Sequence, residues 1–419
     1  MHAMETISFV LFTSILITVL NQRFFKLQTT VAVMSATLTL SLLVTIIAPL
    51  LGKDFTSNIN KLIQGIDFST FLIDGMLGYL LFAGALSIKH SAFKNAFREI
   101  FTLATISTII STALITVACY ALFGALATWL NPALSLDWLS CFLFAALISP
   151  TDPIAVLGTL KSMKAPEAIS VKMAGESLFN DGVGIVIFTV AFHFAHHHET
   201  HSGPIAALYL FIQQAIGGLC FGALLGLFMQ QLIRFTNGIK LHILITISTV
   251  TAGYCLAQNL HISGPLAMVV AGMTINFNHR YYTLNANSRV ALHNFWEIID
   301  ELLNIILFCL LGAEILILNY SLASALITML IIPLVLASRW LSISLPFSIL
   351  GLRRKQPKHT IEILVWGGLR GGLAVALALS LDIPHRDIIL LMTYAVVAFS
   401  VLVQGTSMPT LVRKRYGAQ

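Results

Sequence analysis

Long apolar runs separated by short polar breaks dominate this chain. Crossing the hydrocarbon core of a bilayer takes about 20 mainly apolar residues in a helix. Thirteen runs meet that length, at about 5–22, 27–51, 68–89, 97–128, 137–160, 167–196, 204–234, 240–258, 262–278, 295–317, 321–349, 360–381 and 387–412. Only 10% of the 419 residues are charged and 57% are hydrophobic, whereas a soluble domain carries about 25% charged residues. The expected fold is therefore an all-α polytopic membrane protein of about 13 transmembrane helices. No basic segment precedes the first run, and Arg23 follows it, so that run reads as a retained helix rather than a cleaved signal.

The polar breaks set the orientation. With the N-terminus outside and alternate crossings, 19 of the 24 Lys and Arg residues fall in inside connections; three (Lys53, Lys61 and Arg386) fall outside. Arg339 and Arg370 lie within runs. This positive-inside bias predicts an external N-terminus and a cytoplasmic C-terminus in a plasma membrane. It also explains the net charge of +6 without nucleic acid as a partner. The connections leave no room for a nucleotide-binding domain, so an ATP-driven pump is not expected. Cys119, Cys141, Cys220, Cys255 and Cys309 stand in separate apolar runs without metal-ligand spacing. The His-rich stretch 196–201 reads as a solvated external loop. No cofactor is expected, and no Ser/His/Asp or HExxH set points to an enzyme.

Two short runs place acids at membrane depth: Ser149-Pro150-Thr151-Asp152-Pro153 and Glu176-Ser177-Leu178-Phe179-Asn180-Asp181. An ionisable group costs several kcal/mol in hydrocarbon and normally marks an ion or proton path. The two prolines break span 5, and Gly367-Gly368-Leu369-Arg370-Gly371-Gly372 weakens span 12. They are seven spans apart, an odd number, so they cross in opposite senses. Interrupted helices in opposed halves of an inverted repeat point to a transporter's substrate site. The plainer reading of the glycines is close helix packing, the reading also given to Gly218, Gly222 and Gly226 on span 7.

On span 6, Ser177 and Asp181 share one stripe, and Glu176 and Asn180 share the adjacent one. Thr151, Asp152, Ser177, Asn180 and Asp181 offer hard oxygens, which suit protons and alkali cations rather than soft metals. Burial penalises a bare carboxylate, so Asp181 is expected to hold either a proton or a monovalent cation. That competition alone couples two opposed flows. Glu176 would add a second charge, for which Arg339 and Arg370 are the basic candidates within runs. Glu297, Asp300 and Glu301 open span 10 as a possible cytoplasmic funnel or pH sensor; helix N-terminal acids are the plainer alternative.

Four blocks in order carry a family resemblance: Ser149 to Pro153; Gly175 to Gly182; Phe295-Trp296-Glu297 through Asp300 to Asn304 and Gly312; and Trp366 to Gly371. Ser263-Gly264-Pro265-Leu266-Ala267 is a weaker fifth. The chain resembles the monovalent cation:proton antiporter family of NhaP-type and NHE-type sodium–proton exchangers. The resemblance implies an NhaA/NhaP-like fold with two crossed, broken helices, a homodimer and elevator-like alternating access. It implies a core at about 97–199 and 321–412, a dimerisation scaffold at about 1–90 and 236–318, and a linking helix at about 204–234. It implies that Thr151, Asp152, Ser177 and Asp181 contact the cation and that Asn180 supports the site. Glu176 would pair with Arg339, and Arg370 would stabilise the crossing. Asn before Asp is associated in the family with electroneutral exchange. One departure is Ala83 after Leu80-Leu81-Phe82, where some relatives carry an acidic ligand. The expected activity is sodium (or lithium)/proton antiport in a bacterial inner membrane. The alternatives are potassium/proton antiport and, in another class, sodium-coupled symport of an organic solute.

Overall fold

The computed structural model describes residues 2–51, 67–129, 135–163, 165–196, 204–236, 238–277, 286–314, 322–352 and 356–416. Most of the His-rich stretch, Lys53, Lys61, Lys164, Arg280 and 353–355 lie outside these residues. The described residues are helical, with no strand among them. Helix α1 spans His2–Leu20 and widens into a π turn at Asn21–Phe25. Then follow α2 (Thr29–Leu51), α3 (Phe68–Ser87) and α4 (His90–Thr128). Next come the paired segments α5a (Trp138–Ile148) and α5b (Ile154–Ser162), then α6 (Glu167–His196) and α7 (Pro204–Arg234). The chain continues through α8 (Ile239–Asn259), α9 (Gly264–Phe277), α10 (Ala286–Ala313) and α11 (Leu322–Ile349). It ends in α12a (Thr360–Trp366), α12b (Gly372–Leu379) and α13 (Arg386–Tyr416).

Every apolar run of the sequence holds a helix. Nine helices among the described residues are long and apolar enough to cross a bilayer. The other four runs fall short for visible reasons. α5 and α12 are interrupted, and α9 is only 14 residues long. α10 carries Glu297, Asp300 and Glu301 along one stretch. α10 also starts at Ala286 rather than near 295, so those acids lie well inside the helix. The chain is a multi-pass membrane protein whose outer faces are apolar, with Phe12, Phe25, Ile205 and Met329 each at least 70% exposed.

Local chemistry sets the helix starts. Asp67 accepts from the backbone N–H groups of Ser69 (3.1 Å) and Thr70 (3.3 Å), which caps α3. The Thr70 hydroxyl also donates to Asp67 and holds this carboxyl below its ordinary range, against the opposing effect of burial. Asp137 caps α5a in the same way through Leu139 and Ser140.

Packing follows a repeat seven helices long. α2 packs on α10, and its counterpart α9 packs on α3. α1 packs on α10 as α8 packs on α3, and α4 meets α5a as α11 meets α12a. α4 and α11 lie against each other. α7 stands outside the repeat and packs on α9 and α8. Its glycines permit that approach: a methyl group on Gly222 would overlap the Ala267 backbone, and one on Gly218 would lie 2.8 Å from the Ser263 carbonyl oxygen.

Candidate functional site

Pro150 and Pro153 have no N–H to continue the ladder, so α5 breaks between Ile148 and Ile154. α12 breaks between Trp366 and Gly372. The two breaks meet. The Asp152 N–H donates to the Leu369 carbonyl at 2.8 Å. Arg370, 2% exposed, donates through Nη1 to the carbonyls of Ser149 and Pro150, the latter at 2.8 Å. A buried guanidinium here bonds the acceptors that the interruption frees. α13 braces the other side, where it widens into a π turn at Ser400–Gly405. The Ser400 hydroxyl accepts from the Arg370 N–H at 3.0 Å, and Gln404 Nε2 donates to the Trp366 carbonyl at 3.0 Å.

The two stripes of α6 do different things. Asn180, fully buried, donates to Thr151 Oγ1 at 2.9 Å and accepts from the Thr151 N–H at 3.4 Å. Glu176, on the same stripe, meets Arg339 of α11 in an ion pair of 2.5 Å, with side chains 2% and 3% exposed. Arg339 also donates to the Leu364 carbonyl at 3.3 Å. Ser177 and Asp181, on the other stripe, line a cavity of about 540 Å³. Thr151 and Asp152 line it too, and both aspartates are half-buried. Asp152 Oδ1 accepts from the Ile154 N–H at 3.0 Å and so caps α5b. Gly371 lies against the same carboxylate, so closely that a methyl group there would overlap it.

The cavity runs between α3, α5b, α6, α10 and the start of α12b to the end of the molecule where Lys89, Lys161 and Glu167 lie. Lys89 and Glu167 pair there at 2.7 Å, both more than half exposed. Asp181 is 14 residues beyond Glu167 on α6, about 21 Å deep at 1.5 Å per residue. At the other end of α3, Ser69 donates to the Ala376 carbonyl of α12b at 2.9 Å and packs the two helices together.

Of the α10 acids, Asp300 lines the cavity; Glu297 and Glu301 are exposed and do not. The α3 wall of the cavity holds Leu77, Leu80, Leu81 and Gly84, and Ala83 is buried behind it. Three contributors went unassigned in the sequence: Gly371, Ser400 and Asn304. The i, i+4 relation of Asn304 to Asp300 was the signal available for one of them; the others depend on contacts between distant segments.

Two interrupted helices crossing beside carboxylates in a multi-pass membrane protein is the construction of a secondary transporter. The fold is similar to that of the sodium proton antiporter MjNhaP1 from Methanocaldococcus jannaschii, with a TM-score of 0.75 over 100% of both chains at 19% identity. Residues 7–414 match the family described as sodium/hydrogen exchanger, transmembrane. The chain is 41% identical to the Na(+)/H(+) antiporter NhaP of Pseudomonas aeruginosa over 96% of its own length and 95% of that protein's. It is 33% identical to the Na(+)/H(+) antiporter NhaH of Halobacillus dabanensis over 83% of each. The chain belongs to the sodium/hydrogen exchanger family.

Proposed function

We propose that the protein is a secondary active sodium (or lithium)/proton antiporter of the bacterial inner membrane that exchanges one cation for one proton without net charge movement. The observation that carries this reading is the division of charge at the crossing. Asp152 and Asp181 line the cavity, while the buried arginines are engaged elsewhere, Arg339 with Glu176 and Arg370 with carbonyls. Asp181 is thereby left for an exchangeable ligand, and a proton and a cation compete for it. Asp152, Thr151 and Ser177 supply the remaining oxygens, and Asn180 holds Thr151 in register. Relatives bearing the name Na(+)/H(+) antiporter over nearly the full chain support the choice of ions.

Alternating access follows as movement of a core (about 97–199 and 321–412) against a scaffold (about 1–90 and 236–318), with α7 joining them and scaffolds pairing in a homodimer. The N-terminus is external and the C-terminus cytoplasmic, so the cavity opens inward. Everted vesicles with a pH-sensitive dye test the reading. Sodium or lithium is expected to discharge an imposed proton gradient, and Asp181→Asn and Asp152→Asn each to abolish the response. Robust exchange in the Asp181 variant overturns the competition. A response to potassium alone assigns potassium/proton exchange instead. A rate that changes when valinomycin clamps the membrane potential excludes electroneutrality.

A further inference from the structure

α10 contributes an acid that a two-aspartate scheme leaves unused. Asp300 lines the same cavity as Asp152 and Asp181 and is half-buried. Asp152 shares its cavity, and Glu297 and Glu301 neighbour it on α10; all three are acidic. No basic side chain pairs with it among the described residues: Arg339 is held by Glu176, Arg370 by carbonyls and Lys89 by Glu167. One turn further along α10, Asn304 donates to the Asp300 carboxylate at 3.2 Å and to the Asp300 carbonyl at 2.8 Å.

Asn304 supplies an independent sign of a ligand. It lines the cavity, is 2% exposed, and its Oδ1 has no hydrogen-bond donor. A buried acceptor without a donor is costly, and a cation or the water it carries removes that cost. The neighbouring wall gives the same indication. α3, the counterpart of α10 in the repeat, presents leucines, Gly84 and Ser87 to the cavity, with no acid. Acidic oxygen beyond the two aspartates therefore reaches the site from α10. Carboxylates focused in a low-dielectric cavity attract cations strongly.

We propose that Asp300, positioned by Asn304, is a third cation-binding carboxylate beside Asp152, taking a partly hydrated monovalent cation. The proposal rests on the exchange reading above. It adds an asymmetry: α10 lies in the unit assigned as scaffold, so this oxygen meets the moving site only while the cavity faces the mouth at Lys89 and Glu167.

The test uses full-length protein in liposomes, with sodium supplied from the cavity side. Asp300→Asn is expected to raise the sodium concentration for half-maximal exchange about tenfold, the scale of one unit charge near the ion. Saturating sodium is still expected to drive exchange. Asp300→Glu is expected to recover most of the affinity. Asn304→Ala, which keeps the acid but removes its donor, is expected to give a smaller shift in the same direction. Unchanged half-saturation in Asp300→Asn overturns the proposal. So does a lower maximal rate at unchanged half-saturation, which a packing role would produce. Absence of sodium-driven proton movement in the unmodified protein instead fails the exchange reading itself, and this inference with it.

Discussion

At the scale of single residues, the site depends on space as much as on charge. Gly371 has ordinary backbone angles, so its importance lies in what a Cβ would meet, the Asp152 carboxylate. Gly371→Ala is expected to cut the exchange rate at least ~10-fold, on the scale of a misplacement of about 1 Å, while expression and elution volume in detergent stay normal. A rate within twofold of the unmodified protein would remove Gly371 from the site. Spacing along α6 was legible in the sequence: the i, i+4 rule separates Ser177 and Asp181 from Glu176 and Asn180, and the structure gives the two stripes different partners. The partner of Glu176 was not legible from the residues alone, and only the family resemblance implied Arg339. Arg339 and Arg370 are both buried arginines on distant helices, and only tertiary packing brings one of them to α6. Asp300 stands near the start of the apolar run at about 295–317, whereas α10 begins at Ala286 and so places it well inside the helix.

At the scale of elements, the molecule is fastened where helices fail. Pro150, Pro153 and the glycines of 367–372 announce both interruptions. What joins them, the Arg370 side chain on two carbonyls and the Asp152 N–H on a third, needs the three-dimensional crossing. The Glu176–Arg339 pair ties α6 to α11 with both groups almost fully buried. Removing one partner of such a pair strands the other charge and costs about 3–5 kcal/mol. Arg339→Ala is therefore expected to lower the thermal unfolding temperature in detergent markedly, and Glu176→Gln combined with Arg339→Gln to recover much of that loss. Equal destabilisation in the single and double variants would argue that the pair contributes through packing alone. Arg370→Ala, in contrast, is expected to abolish exchange, because the freed carbonyls of Ser149 and Pro150 then have no donor. Near-normal exchange in that variant would deny Arg370 its role at the crossing.

At the scale of the whole molecule, the cavity reaches one end, and the proposed orientation makes that end cytoplasmic. Ser170 lines the cavity and is partly exposed. With the five native cysteines replaced, Ser170→Cys is expected to react with a membrane-impermeant maleimide in everted vesicles and to resist it in right-side-out cells. Labelling from the external side alone would reverse the orientation. The thirteen apolar runs and the repeat between spans 5 and 12 were legible because hydropathy and helix breakers act locally. The cavity was not, since its walls come from α3, α5b, α6, α10 and the start of α12b, which no local pattern links. The paired contacts of the repeat carry a further consequence. α3 and α10 occupy matching positions and both line the cavity, yet α3 brings leucines to it and holds α12b through Ser69, while α10 brings Asp300 and Asn304. In the alternating access proposed above, the two halves would trade those local geometries and move the opening to the opposite face. Such a trade would keep the helices themselves intact, so the proposed alternating access would call for sliding of packed units rather than refolding.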